Sequence, residues 1–138
     1  MTASPHSSGL HHLELWTADL AVSEPAWDWL LTTLGWRREQ VEGWGLGRIW
    51  RHRDDSYLVL EQSADVLGSR AERRSPGMNH LALRVADRAV LEEIRATAPG
   101  RGWRELFADR YPHAGGEDHV AWYGEDPHGI EVELVAAG

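Results

Sequence analysis

The sequence predicts an α+β fold built from two tandem βαβββ modules. An eight-residue block beginning at His12 recurs from His80 with five identical positions. Each copy is followed by a helical pattern and then by three strand-like segments, so the same order of elements occurs twice. We expect residues 1–138 to form one domain, with a first module over 10–63, a linker over 64–77 and a second module over 78–136.

The first strand of each module alternates apolar side chains with other residues. Leu13 and Leu15 share one face, and the leucines of the second copy, Leu81 and Leu83, do the same. A period of two residues is the strand signature, since successive side chains point to opposite faces. The two histidines that open the strands therefore lie on the face opposite the leucines.

A helix follows each first strand. In the first copy Asp19 or Ser23 can cap a helix that stops at Gly35, and in the second copy Asp87 caps a helix that ends at Pro99 and Gly100. Three strands are then expected in each module, at about 36–43, 46–53 and 56–62 in the first and at about 102–107, 118–124 and 129–135 in the second.

The closing strands of the two modules also resemble each other. The segments 57–61 and 129–133 both place aliphatic residues on one face and end in a glutamate, Glu61 or Glu133, on the other. Those carboxylates would then share a face with His12 and His80. A shift of one residue would instead turn Gln62 inward in the first module. Two histidines and two glutamates at equivalent places of a repeat predict one shared centre.

Composition excludes several classes of protein. The chain has a net charge of −8, which disfavours nucleic-acid partners, and it has no apolar run of the ~20 residues that cross a bilayer. The polar Met1–Gly9 segment is expected to be a loose tail and not a signal peptide, so we expect a cytoplasmic protein. The basic cluster in the linker, at Arg70, Arg73 and Arg74, is interpreted as a solvated segment.

The chain has no cysteine, so any metal must be held by nitrogen and oxygen. Two imidazoles with one or two carboxylates suit Zn, Ni, Co, Mn or Fe as the divalent ion, and leave positions open to water or substrate. Glu131 remains a rival ligand or a base beside Glu133, and Glu14 is a candidate partner of the ligand His12 on the same face. His11 would face the helix side and is interpreted as structural.

The motifs resemble those of the vicinal oxygen chelate superfamily, which includes glyoxalase I, bleomycin resistance proteins and extradiol dioxygenases. The similar segments are the strands opened by His12 and by Asn79-His80, the pair Leu34-Gly35, and the closing segment 125–133, Glu-Asp-Pro-His-Gly-Ile-Glu-Val-Glu. The resemblance implies a glyoxalase-like fold over nearly the whole chain, in which the two modules form a curved mixed sheet shaped like a cup. It also implies His12, His80 and Glu133 as metal ligands, and Glu61 as a fourth ligand or a catalytic base, with Glu133 and Glu61 as the catalytic carboxylates.

A pocket and its partners follow from the same interpretation. Alternation along the strands turns roughly half of the aromatic side chains to the cup, and a long loop precedes the seventh strand. The candidate pocket residues are Trp16, Trp50, Tyr123, His113 and His119. The expected partners are a small-molecule substrate or ligand and, by the resemblance, a second copy in a homodimer. The site residues then belong either to one chain or to two.

The preferred function is a metal-dependent lyase or isomerase of the glyoxalase type, acting on a small oxygen-chelating carbonyl or enolisable substrate. One alternative is a metal-free binding or resistance protein that sequesters an aromatic natural product in the cup. The other is an iron-dependent dioxygenase of the extradiol type, because a centre of two histidines and a glutamate can hold Fe²⁺ with positions open to oxygen.

Overall fold

A computed structural model describes residues 9–137 of the chain. The predicted tail falls almost wholly on residues 1–8, which lie outside the described part. In the first module, Asp19 caps the helix through its side chain, which accepts a hydrogen bond from the backbone N–H of Ala21. The elements of this module are β1 (His12–Trp16), α1 (Leu20–Thr33), β2 (Arg37–Glu39), β3 (Gly47–Arg51) and β4 (Tyr57–Glu61).

The second module repeats this order. Asp87 caps its helix by accepting from the N–H of Val90. Its elements are β5 (Leu81–Val85), α2 (Arg88–Thr97), β6 (Arg104–Leu106), β7 (Ala121–Glu125) and β8 (Glu131–Ala136), with short 3₁₀ helices at Ala98–Arg101 and Ala108–Arg110.

Each module forms its own four-stranded mixed sheet. The strand orders are β1-β4-β3-β2 and β5-β8-β7-β6, so the two sheets are built alike. In both, the first and last strands of the module pair in parallel and the other pairs are antiparallel. The predicted α+β fold of two βαβββ modules is therefore confirmed. The predicted β2 was too long, because the chain leaves the ladder after Glu39.

One apolar core joins the two modules. Trp27 of α1 is fully buried and packs edge-on against Trp103, with ring centroids 5.1 Å apart. The Trp27 indole donates to the buried Asp126 carboxylate at 2.9 Å, and the Trp103 indole donates to the Ala26 carbonyl at 3.0 Å. Buried polar side chains normally have such partners. These two hydrogen bonds thus join α1 of the first module to residues next to β6 and β7 of the second module.

The face of each sheet that points away from this core is called its open face. On the first sheet it carries His12, Glu14 and Trp16 from β1, because Leu15 between them is buried in the core. On the second sheet it carries Glu131 and Glu133 of β8, which alternate with the buried Val132 and Leu134. In residues 9–137, no helix has the length and apolar character needed to cross a membrane.

Candidate functional site

Of the four sequence-predicted metal ligands, which all lie in the described part of the chain, His80 and Glu133 are the two in direct contact. Glu133 lies opposite Ala82 in the parallel ladder of β5 and β8, two residues along from His80. This diagonal brings His80 Nε2 to 3.0 Å from one carboxylate oxygen of Glu133. The other ring nitrogen, Nδ1, lies 2.7 Å from the Asn79 side-chain oxygen, which fixes the ring plane. Second contacts of this kind orient imidazoles that bind metals.

The second oxygen of Glu133 is hydrogen-bonded to His119 Nε2. His119 belongs to the long loop before β7, which folds back so that the imidazole reaches β8. Although burial acts to raise the pKa of Glu133, hydrogen bonds from His119 and Tyr123, with the charges of His119 and His80, hold it below its usual value. Glu133 is therefore a carboxylate with both oxygens engaged.

Tyr123 completes this group from the neighbouring strand. Burial, together with its hydrogen bond to the Glu133 carboxylate, raises the pKa of the Tyr123 phenol to about 12. The phenol is therefore protonated at neutral pH and donates to Glu133. Two of the predicted pocket residues, His119 and Tyr123, thus contact a predicted metal ligand directly.

A further charged pair lies beside this group. Glu131 is 3% exposed, and its carboxylate lies 3.2 Å from the Arg73 guanidinium and 3.8 Å from His80 Nδ1. Burial raises the pKa of Glu131. The linker is therefore only partly a solvated segment, since Arg73 folds back over the second sheet and Arg70 reaches Glu125 at 3.5 Å. Sequence reasoning missed Arg73, because linker residues carry no periodic signal that could place them.

His12 lies on the other sheet, and its contacts are local. Its ring stacks on Tyr57 with a centroid distance of 4.8 Å, and its Nδ1 lies 2.8 Å from Nδ1 of His11. No hydrogen bond or ion pair joins it to His80 or Glu133 in residues 9–137. Within those residues, no three or more His, Asp or Glu side chains are arranged to hold a metal ion together.

Glu61 lies on the open face of the first sheet, whereas Gln62 turns to α1, where its side-chain oxygen accepts from the Leu20 N–H at 2.8 Å. In the ladder of β1 and β4, His12 lies opposite Tyr57 and Glu61 lies opposite Trp16. Glu61 is thus four residues along from the position opposite His12, roughly 13 Å at ~3.3 Å per residue. In the second module Glu133 lies opposite Ala82, two residues after His80. The equivalent position of the first module, opposite Glu14, is occupied by Val59.

Glu61 instead pairs with a second carboxylate. Burial, followed by a hydrogen bond and repulsion from Glu14, raises the pKa of Glu61, while indole N–H groups of Trp44 and Trp16 act to lower it. The Trp16 indole also donates to Glu14 at 2.6 Å. Trp16 is 44% exposed on this open face, where sequence alternation placed it.

Two other predicted pocket residues lie elsewhere. Trp50 is fully buried in the core, and its indole donates to Asp28 of α1 at 2.8 Å. The expectation that Trp50 lines the pocket was wrong, because the register of β3 pairs it with Leu58 on the core side. His113 is exposed, and its ring lies 3.4 Å from the His119 carbonyl oxygen. It contacts the predicted site only through that loop.

A family model described as the glyoxalase/bleomycin resistance protein/dioxygenase superfamily matches residues 11–123. The chain belongs to this superfamily. It is 38% identical over 128 residues to the uncharacterised protein YqjT of Bacillus subtilis, covering 92% of this chain and 98% of that protein.

Solved structures share the fold of this superfamily member. A crystal structure of a candidate glyoxalase from Bacillus halodurans has a TM-score of 0.85 and 38% identity, covering 94% of this chain and 96% of that one. The fosfomycin resistance protein FosX of Listeria monocytogenes, solved with Mn(II) and a dihydroxypropylphosphonic acid, has a TM-score of 0.64 and 19% identity, covering 95% and 91%. At that identity the second likeness shows the fold alone.

The side chains around Glu133 can be tested for their fit to a divalent ion. His80 and Glu133 supply one nitrogen and one oxygen within contact distance, which are donors that first-row divalent metals accept. The two imidazoles at Glu133 approach different oxygens of its carboxylate, so they do not point to one common position. The donor chemistry fits such an ion, and a full ligand set requires at least one more side chain.

Proposed function

We propose that this protein is a divalent-metal-dependent enzyme of the glyoxalase type, acting on a small oxygen-chelating carbonyl or enolisable substrate. His80 and Glu133 would hold the ion, with His12 as the third ligand. The contact of 3.0 Å between His80 and Glu133 carries the proposal, because it joins two residues that the sequence motifs independently mark as ligands. Membership of the superfamily supports it.

His12 would come from a second copy of the chain. Within residues 9–137 its contacts are with His11 and Tyr57, on a sheet separate from that of His80. The open face around it exposes the apolar ring of Trp16, which is 44% exposed. Exposed apolar groups of this kind are typical of protein interfaces. A homodimer would cover this face and bring His12 to the partner's Glu133.

The bound metal would polarise a substrate carbonyl oxygen and so stabilise an enolate. The chain's own residues then have separate tasks. His119 and Tyr123 hold the Glu133 carboxylate in one orientation through hydrogen bonds. The ladder places Glu61 far from His12 of its own chain, so Glu61 would not share a metal with it. As proton acceptor Glu61 would serve a substrate that extends from the ion towards the end of β1 at Trp16. Its raised pKa brings it closer to the range useful for a general base.

Metal titration tests the proposal directly. Apo protein prepared with a chelator is titrated with Zn²⁺, Ni²⁺, Co²⁺, Mn²⁺ and Fe²⁺ by calorimetry, alongside His80→Ala, Glu133→Gln and the matched control His113→Ala. We expect about one ion per chain in the wild type and the control, and loss of binding in the other two variants. The absence of micromolar binding by wild-type protein would contradict the proposal.

The reaction class is then assayed with whichever metal binds. α-Ketoaldehydes, epimerisable thioesters and catechols separate the lyase, epimerase and dioxygenase chemistries that this superfamily contains. Glu61→Gln is expected to reduce turnover of an enolisable substrate by a factor of 10²–10⁴, the usual contribution of a general base, while leaving metal affinity unchanged. Loss of metal in Glu61→Gln would show that Glu61 is a ligand.

A further inference from the structure

A cleft of about 420 Å³ lies where the two modules meet. It runs between β1 and the start of β4 on one side and β5 with the end of β8 on the other. Volumes of this size are typical of small-molecule sites. His80, His119, Glu133 and Glu61 are not among its lining residues, so the cleft is separate from the His80–Glu133 pair. Its apolar lining comprises Leu13, Leu34, Leu58, Leu81, Leu83 and Val135.

Aromatic rings flank this apolar floor. Trp36 is half-buried at the end of the α1–β2 connection, and its ring lies 5.2 Å from that of His52. The Tyr57 ring stacks on the His12 ring, and the angle between the two ring planes is only 4°. Both pairs line the cleft. Flat walls of this kind favour a planar ligand, because ring-to-ring contacts add to apolar burial.

The cleft contains one cation whose charge is not neutralised by the protein. Arg84 lies on the exposed face of β5 and lines the cleft, and within residues 9–137 its guanidinium forms no hydrogen bond or ion pair. The carboxylate in the cleft, Asp54, is already engaged: it lies 3.2 Å from His52 and accepts from the Ser56 N–H at 2.9 Å. A ligand carboxylate would therefore meet a free guanidinium fork, which matches its geometry bidentately.

From the cleft's size, its aromatic walls and the unpaired Arg84, we propose that it binds a small planar aromatic monocarboxylate. The carboxylate pairs with Arg84, and the ring lies against Trp36. The Tyr57 ring is already covered, because His12 stacks on it and the Arg51 guanidinium lies 4.7 Å from its centroid. This site needs no metal and uses neither His80 nor Glu133, but its wall includes His12, the third ligand of the centre proposed above.

The test uses the full chain in the presence of a chelator, so that a metal centre makes no contribution. Calorimetry compares 2-naphthoate with 2-naphthamide, its uncharged analogue of nearly the same shape. We expect the wild type to bind the acid at least about ten-fold more tightly than the amide, since a charged hydrogen-bonded pair exceeds a neutral one by that order.

Three variants locate the site. Arg84→Gln is expected to reduce affinity for the acid to that for the amide, and Trp36→Leu to weaken both ligands about ten-fold. The control Arg88→Gln removes an exposed arginine of α2 that pairs with Glu92, and should change neither affinity. The proposal fails if wild-type protein binds acid and amide equally, binds neither at millimolar concentration, or binds the acid undiminished in Arg84→Gln.

Discussion

The His80 imidazole and the Glu133 carboxylate lie 3.0 Å apart on the open face of the second sheet. The first module has the equivalent histidine, His12, but its ladder places Val59 where the second module has Glu133. The repeat is thus symmetric in backbone and asymmetric in site chemistry. The second module places a carboxylate in contact with its histidine, whereas the first module's Glu14 and Glu61 pair with each other.

His119 is expected to act by positioning the Glu133 carboxylate. Its Nε2 is hydrogen-bonded to the oxygen of Glu133 that His80 does not contact. Removing such an outer hydrogen bond usually costs 10–100-fold in metal affinity, so His119→Ala should weaken metal binding by about ten-fold without abolishing it. His119→Gln should recover part of this loss. Calorimetric titration of the apo protein measures the change, with His113→Ala as control. Unchanged affinity in His119→Ala would contradict the role.

The hydrogen bond between Trp27 and Asp126 should be a main link between the modules. Both side chains are buried, so Trp27→Phe removes a donor from a carboxylate that cannot turn to water. We expect a loss of about 1.5–3 kcal/mol in the free energy of unfolding, measured by urea titration. Trp29→Phe on the same helix, where the ring is only half-buried, is the control and should cost less. Equal losses would show that packing, and not this bond, dominates.

The stability of the protein at low pH should depend on the ion pairs of Glu24 with Arg38 and Arg48. Burial opposes ionisation, but hydrogen bonds and charges from Arg48 and Arg38 hold the pKa of Glu24 below its usual 4.5. Because the pKa of Glu24 is lower in the folded than in the unfolded state, its ionised form stabilises the fold above pH 4.5. This stabilisation is lost as the pH falls through the pKa of the folded state. Glu24→Gln should therefore cost about 0.5–1 kcal/mol at pH 7.

That deficit should shrink as the pH falls below 4.5 and wild-type Glu24 itself becomes protonated. Urea titrations at several pH values measure it, with the exposed Glu42→Gln as the matched control. A deficit that stays constant with pH would mean that Glu24 acts through shape and not through charge.

The sequence was informative wherever its signal was periodic. The repeat at His12 and His80, the caps Asp19 and Asp87, and the order of elements are all present in the structure. Alternation also placed Trp16 on an exposed face. These features depend on local backbone geometry, which the side-chain pattern encodes directly.

Features that depend on register or on loop paths could not be predicted in this way. The ladder of β1 and β4 is offset so that Glu61 lies opposite Trp16, and no residue pattern within either strand specifies that offset. Trp50 faces the core because of its pairing with Leu58. The contact of His119 with Glu133 depends on how a long loop folds, and that of Arg73 with Glu131 on how a linker returns.

Complementation between two variants tests whether His80 and Glu133 of one chain share a metal with His12 of another. His12→Ala and His80→Ala chains, each unable to bind metal alone, are mixed in equal amounts under conditions that exchange subunits. In a random mixture, about half of the dimers contain one chain of each variant. In each mixed dimer one of the two centres has all its ligands, so about a quarter of the wild-type metal content should return. No recovery after demonstrated exchange would contradict the shared centre.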